Sequence, residues 1–233
     1  MSERKAGRLS IVATPIGNPA DITLRALDSL RLADAVICEE LRAGSTLLKA
    51  IGVKPKELID FNEHNETDRL QPLVQRMLQG QSLALISDCG TPVFADPGSL
   101  LIRNAAEHGI RIVPIPGPSS LMATLSILDR NIKQFYFTGF PPRDPHGRKS
   151  ELRRLKEYQR PIVMMDTPYR LSRVLCDVAV IFGDGARITL ALDLTLPSEE
   201  IFRGRVATAL SRFKGTKREF VLVIHAGSET SQA

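Results

Sequence analysis

The sequence contains no apolar run approaching the roughly 20 residues that a membrane-spanning helix needs. Met1 to Arg8 is polar and lacks the apolar block of a signal peptide. These absences predict a soluble, cytoplasmic protein with no membrane partner. Cysteine is scarce: Cys38, Cys89 and Cys176 lie far apart, are odd in number and form no CxxC pair. That pattern argues against a disulfide framework or a cysteine zinc site and fits a reducing compartment. His64, His108, His146 and His225 show no metal-ligand spacing, so no bound metal is expected. The common nucleotide and hydrolase fingerprints are missing as well. There is no GxGxxG after the first apolar segment, no GxxxxGK followed by Ser or Thr, and no GxSxG elbow.

What the chain does have is enough apolar material, 43% of 233 residues, for one large core or two smaller ones. Its net charge of +5 is uneven. Up to Pro118 there are 13 Lys and Arg against 14 Asp and Glu, and from Ser119 onward 18 against 12. A basic second half attracts polyanions such as RNA, although by itself it also suits an ordinary solvated surface.

Short apolar runs at Leu9 to Thr14, Ala35 to Cys38, Leu58 to Phe61, Leu83 to Ser87 and Ile112 to Ile115 read as buried parallel strands. Between them, Ile22 to Leu30, Ser45 to Ile51, Asp68 to Leu78 and Ser99 to His108 carry apolar residues at helical spacing, with Asp21 and Gly52 as start and stop signals. In the second half, strands are expected at Phe135 to Thr138, Ile162 to Met165, Ile188 to Leu192 and Phe220 to Ile224. Helices are expected at Ser119 to Leu128, Ser150 to Tyr158, Leu171 to Phe182 and Val206 to Phe213, against a mixed sheet. Pro114-Ile115-Pro116-Gly117-Pro118 forms a stiff joint. The fold class is therefore α/β in two domains, 1–117 and 118–233.

Three Gly- and Pro-rich turns each follow a predicted strand: Thr14-Pro15-Ile16-Gly17-Asn18, Ser87-Asp88-Cys89-Gly90-Thr91-Pro92 and Pro116-Gly117-Pro118-Ser119-Ser120. Ligands of open α/β sheets collect outside the carboxyl ends of strands, so the three turns are candidates for one crevice. Any βα protein, however, needs Gly and Pro at such places.

Taken in order with Asp21-Ile22-Thr23, Arg25-Ala26-Leu27, His64-Asn65-Glu66, Asp96-Pro97-Gly98 and Gly139-Phe140-Pro141-Pro142, these turns resemble the 16S ribosomal RNA cytidine 2′-O-methyltransferase branch of the tetrapyrrole methylase superfamily. The likeness runs from Leu9 to Gly227. It implies two α/β domains with the cofactor cleft between them, a homodimer, S-adenosylmethionine as cofactor, and ribosomal RNA or the small ribosomal subunit as partner. Carried over by position, Pro15, Gly90, Thr91, Phe94, Ser119, Ser120, Asp166 and Leu194 match places where superfamily members touch the cofactor. For Asp88 and Asp96 the alternative is simple turn capping.

A ribose hydroxyl is a poor nucleophile at neutral pH, and Glu39, Glu40, His64, Asp88 and Asp166 are by position candidates for a base. Arg42 is an alternative, structural partner for Glu39 or Glu40. The segment Pro141 to Lys149 is expected to be a mobile loop leading into a basic helix, with Arg148, Lys149, Arg153, Arg154 and Lys156 meeting phosphates. The sequence departs from the branch pattern in three places. Glu39-Glu40-Leu41-Arg42 stands for Glu-Asp-Thr-Arg, Asp193-Leu194-Thr195-Leu196 for Glu-Leu-Thr-Lys, and Lys217-Arg218-Glu219 for Lys-Gly-Glu. It also ends soon after Gly227, where the branch usually carries a further helical region. Two alternatives therefore stand beside rRNA methylation: methylation of a tetrapyrrole or other small molecule, and non-catalytic binding of cofactor or RNA.

Overall fold

The computed structural model describes residues 6–93 and 97–225. The chain divides into two compact units, Met1–Ser119 and Ser120–Ala233.

In the first unit, β1 (Arg8–Val12), β2 (Ala35–Cys38), β3 (Leu58–Asp60), β4 (Leu83–Ile86) and β5 (Arg111–Ile115) form one sheet in the order β3-β2-β4-β1-β5. Every pairing is parallel. The connections run through α1 (Leu24–Leu32), α2 (Leu41–Ala50), α3 (Glu66–Leu78) and α4 (Ser99–Glu107). Successive strand side chains point to opposite faces, and both faces are covered. Ala35, Ile37, Leu83 and Leu85 pack with Leu73, Val74 and Met77 of α3 and Leu101 and Ala105 of α4. Val36, Cys38, Ala84 and Ile86 pack with Ala26 and Leu30 of α1 and Leu48 of α2. This two-sided burial is why the strands read as continuous apolar runs rather than alternating ones. The cap of α1 is Thr23, whose Oγ1 accepts from Ala26 N–H at 3.2 Å; Asp21 lies in the short 3₁₀ turn Pro19–Asp21 before it.

The second unit has one sheet in the order β6-β7-β10-β8-β9, made of β6 (Tyr136–Gly139), β7 (Ile162–Asp166), β8 (Arg187–Leu192), β9 (Glu200–Arg205) and β10 (Phe220–Ile224). Only β6 and β7 are parallel; the other pairs are antiparallel, so the sheet is mixed. One face packs under α6 (Pro145–Glu157), α7 (Leu171–Phe182) and α8 (Val206–Arg212). On the other, Val163, Val221 and Val223 meet Leu121 and Leu125 of α5 (Ser120–Ser126), together with Phe137, Met165 and Leu194.

Two expectations are corrected here. β9 was not predicted: its only fully buried residue is Phe202, and Arg203 and Arg205 face water, so this edge strand lacks an apolar signature. The predicted mobile loop to Lys149 ends instead at Asp144, whose Oδ1 accepts from Gly147 N–H at 2.7 Å and starts α6 with Pro145 in its first turn.

Candidate active site

At the carboxyl edge of the first sheet, the turns after β1, β4 and β5 are bonded to one another. Thr14 N–H donates to Gly90 O at 2.8 Å. The fully buried Thr14 hydroxyl lies 3.1 Å from Ser87 O and 3.2 Å from Gly90 O. Thr91 Oγ1 donates to Pro118 O at 3.2 Å, and Cys89 Sγ lies 3.6 Å from Ile16 O. Gly90 has φ +80°, and a Cβ there would sit 3.2 Å from Ile16 Cγ2. A glycine therefore relieves both strain and crowding where the three turns meet. β1 sends its helix to one face of the sheet and β4 sends its helix to the other, which is the topological switch point where such folds bind ligands.

The sequence-predicted residues distribute unequally over this edge. Pro15 is buried behind β1, Gly90 is buried, and Thr91 is exposed at the bonded turns; Ser119 ends this unit. Phe94 and Asp96 lie outside the described residues. Among the base candidates, Asp88 is exposed and belongs to the bonded turns themselves. Glu39 and Glu40 follow β2 one strand away, Glu40 standing at the cap position of α2 without a side-chain cap bond. His64 is exposed beyond β3, an edge strand, its N–H donating to Asn62 Oδ1 at 3.0 Å. Thr14 was not singled out by sequence, although its position one residue before Pro15 in a strand-end turn was visible.

In the second unit, Asp166 ends β7 at 1% exposure. Its Oδ1 accepts from Thr167 N–H at 2.7 Å and pairs with Arg170 Nη1 at 3.2 Å, while buried Oδ2 has no hydrogen-bond partner. Burial raises the Asp166 carboxyl above the ordinary carboxylate value, against the pull of Thr167 N–H and Arg170. Ser120 Oγ meets Met165 Sδ at 3.3 Å. Leu194 lies between two residues of positive φ, Asp193 at 47° and Thr195 at 66°, and packs on the Val163 cluster. Such backbone costs energy that the surroundings must hold in place. Here Arg218 does so, donating to Asp193 Oδ2 at 2.7 Å, to Glu200 Oε2 at 2.6 Å and to Ser198 O. The residue that stands where the resemblance expects glycine is thus a clamp on this loop.

The expectation for Arg148 is overturned. It is 3% exposed, its Nε donates to Asp177 Oδ2 at 2.6 Å, and its Nη1 reaches Pro142 O and Arg143 O. A guanidinium so enclosed has no face left for a phosphate. Arg170 Nη2 adds bonds to Pro141 O at 3.0 Å and Pro142 O at 2.6 Å, so the segment after β6 is pinned by two arginines. Lys149 is half-buried, 3.5 Å from Asp177 Oδ1. Arg153 and Arg154 are exposed on α6. Lys156 is exposed too, but its ammonium donates to Ile181 O at 2.6 Å.

Among the described residues, no group of three or more His, Cys, Asp or Glu side chains is placed to hold a metal, and no helix is long and apolar enough to cross a membrane.

A doubly wound parallel sheet whose switch point is built from bonded Gly and Pro turns, followed by a mixed-sheet unit, defines an α/β protein with a candidate ligand site at that switch point and no phosphate loop in its sequence. The sequence model of the tetrapyrrole (corrin/porphyrin) methylases matches residues 8–210, and the chain belongs to that family; it is a methyltransferase. It is 36% identical over 231 residues to ribosomal RNA small subunit methyltransferase I of Xylella fastidiosa, covering 97% of this chain and 84% of the relative. Against the protein of the same name from Thermotoga maritima it is 38% identical over 211 residues, covering 91% and 94%. Among solved structures, uroporphyrin-III C-methyltransferase of Thermus thermophilus in complex with S-adenosylhomocysteine superimposes with a TM-score of 0.67 at 17% identity, covering 94% of this chain and 97% of that one.

Proposed function

We propose that this chain transfers a methyl group from S-adenosylmethionine to the 2′-hydroxyl of a cytidine in small-subunit ribosomal RNA, working as a homodimer in the cytoplasm. The observation that carries the reading is the near full-length similarity to relatives named ribosomal RNA small subunit methyltransferase I, on a fold whose strand-end turns are bonded as described.

The residues fit the cofactor's chemistry. S-adenosylmethionine carries an ammonium and an adenine amino group, and buried Asp166 Oδ2 is an acceptor without a donor. Pro15, Gly90, Thr91, Ser119, Ser120 and Leu194 would supply the remaining contacts, the Gly90 turn through its backbone. When bound, the cofactor supplies an electrophilic methyl on a sulfonium centre. The protein's own work is to orient a ribose oxygen toward that methyl, keep water away, and take up the hydroxyl proton. Asp88 is the candidate that suits the last role, because it alone is both exposed and part of the bonded turns.

Transfer of radiolabelled methyl to purified small ribosomal subunits, set beside a tetrapyrrole precursor, tests the assignment. Label in 16S rRNA at a cytidine ribose is expected; label in the tetrapyrrole alone overturns it. Asp88→Asn should lower kcat by about 10²- to 10⁴-fold with cofactor affinity retained in calorimetry. An unchanged kcat removes Asp88 from this role.

A further inference from the structure

Within the second unit there is an open hollow of about 470 Å³. It lies at the edge of that unit's sheet opposite Asp166, where β6 and β7 begin and β10 ends. Arg130, Asn131, Lys133, Gln134, Gln159, Arg160 and His225 are among its lining, which among the described residues includes no carboxylate. Three cations and three carboxamides around a space of this size match a nucleotide rather than an apolar ligand. Asp129 pairs with Arg130 at 3.2 Å on the same segment, while Lys133 and Arg160 are exposed.

His225 contributes a different kind of group. Its Nε2 lies 2.9 Å from Thr189 Oγ1, and its Nδ1 is buried with no hydrogen-bond partner. Burial and the nearby Arg130 charge hold the ring down to about 4, so at neutral pH it is uncharged. The positive charge of the lining thus comes from the three cations.

Beside the hollow in sequence, Tyr136 and Tyr158 pack against each other with ring centroids 4.5 Å apart and planes tilted by 32°, both exposed. Exposed aromatics interleaved with cations are what single-stranded nucleic acid binds. The hollow also ends a track. α6 starts just after the carboxyl end of β6 and delivers the chain to Arg160 at the amino end of β7, a span of about 20 Å for 13 residues. Arg153 and Arg154 are exposed along it.

We propose that this hollow is a second polynucleotide site, gripping a phosphodiester in a single-stranded segment of the RNA substrate through Lys133, Arg160 and Arg130 while His225 and the carboxamides meet the adjoining sugar or base. The proposal rests on RNA being the substrate. It is tested with a fluorescent 12-nucleotide single-stranded RNA and the full chain. Lys133→Ala/Arg160→Ala is expected to weaken binding about tenfold at low salt and to make the log–log salt dependence shallower by about 0.7 for each phosphate that the variant no longer neutralises. Cofactor affinity and melting temperature should stay as in the wild type, and Lys133→Arg/Arg160→Lys should restore both affinity and slope. Unchanged affinity and slope in the alanine variant overturn the site, as does tighter binding of free cytidine monophosphate than of the RNA. If the alanine variant shows the shift while the wild type transfers no methyl to any ribosomal substrate, the hollow stands and the functional reading alone fails.

Discussion

Single side chains decide several questions that sequence left open. Arg148 is the sharpest. Its guanidinium and the Asp177 carboxylate are both buried, so removing the arginine leaves that carboxylate only the half-buried Lys149, 3.5 Å away, as a cationic partner. Arg148→Ala should destabilise the protein by about 3 to 5 kcal/mol in urea titrations, and Arg148→Met with Asp177→Leu should recover most of the loss. A mild effect of the single change would mean that Lys149 takes over the carboxylate. Gly90→Ala should cost about 1 to 2 kcal/mol through its positive φ, with weaker binding of S-adenosylmethionine in calorimetry. An unaltered urea midpoint would refute the backbone argument. His225 links stability to pH. Its folded value near 4 lies below the ordinary 6.5, so between the two the unfolded chain binds the proton more readily. Stability from this group is complete above pH 6.5 and is lost as pH falls toward 4, on the order of 2 kcal/mol. His225→Gln should flatten the wild-type curve of urea midpoint against pH in that window; equal slopes would show that another group titrates there.

At the level of elements, legibility followed burial. The five parallel strands of the first unit were readable because both faces of their sheet are covered, leaving nearly uninterrupted apolar runs. β9 was not, because one edge strand with arginines toward water carries no such pattern. The start of α6 was misplaced because proline and glycine between Asp144 and Lys149 suggest a loop, whereas Asp144-Pro145 is a cap followed by a first-turn proline. That shift of register decides which residues turn inward: Arg148, Leu152 and Leu155 share the buried stripe, and Arg153 and Arg154 do not. Turns after strands were legible as candidate ligand sites, but the bonds that join them were not, since Thr14 and Ser87 are 73 residues apart. Because α6 presents Arg153 and Arg154 outward, their double replacement by alanine should raise the KM for ribosomal RNA several-fold and leave kcat and stability unchanged. A fall in kcat alone would place them elsewhere in the reaction.

On the scale of the whole molecule, the two units hold their sheets together by different means. The second joins most of its strands antiparallel, including neighbours in sequence such as β8 and β9. In the first, β1 is an inner strand that touches no sequential neighbour: its partners, β4 and β5, come from Leu83–Ile86 and Arg111–Ile115. During synthesis this has a kinetic consequence. Arg8–Val12 is made before either partner and waits with both edges unpaired until Leu83–Ile86 follows, and with one still open until Arg111–Ile115, and a long wait with open edges is when nascent chains are captured by one another or by chaperones. Ribosome-stalled chains that end before β5 should stay protease-sensitive, and those long enough to bring Ile115 out of the exit tunnel should become resistant in a single step.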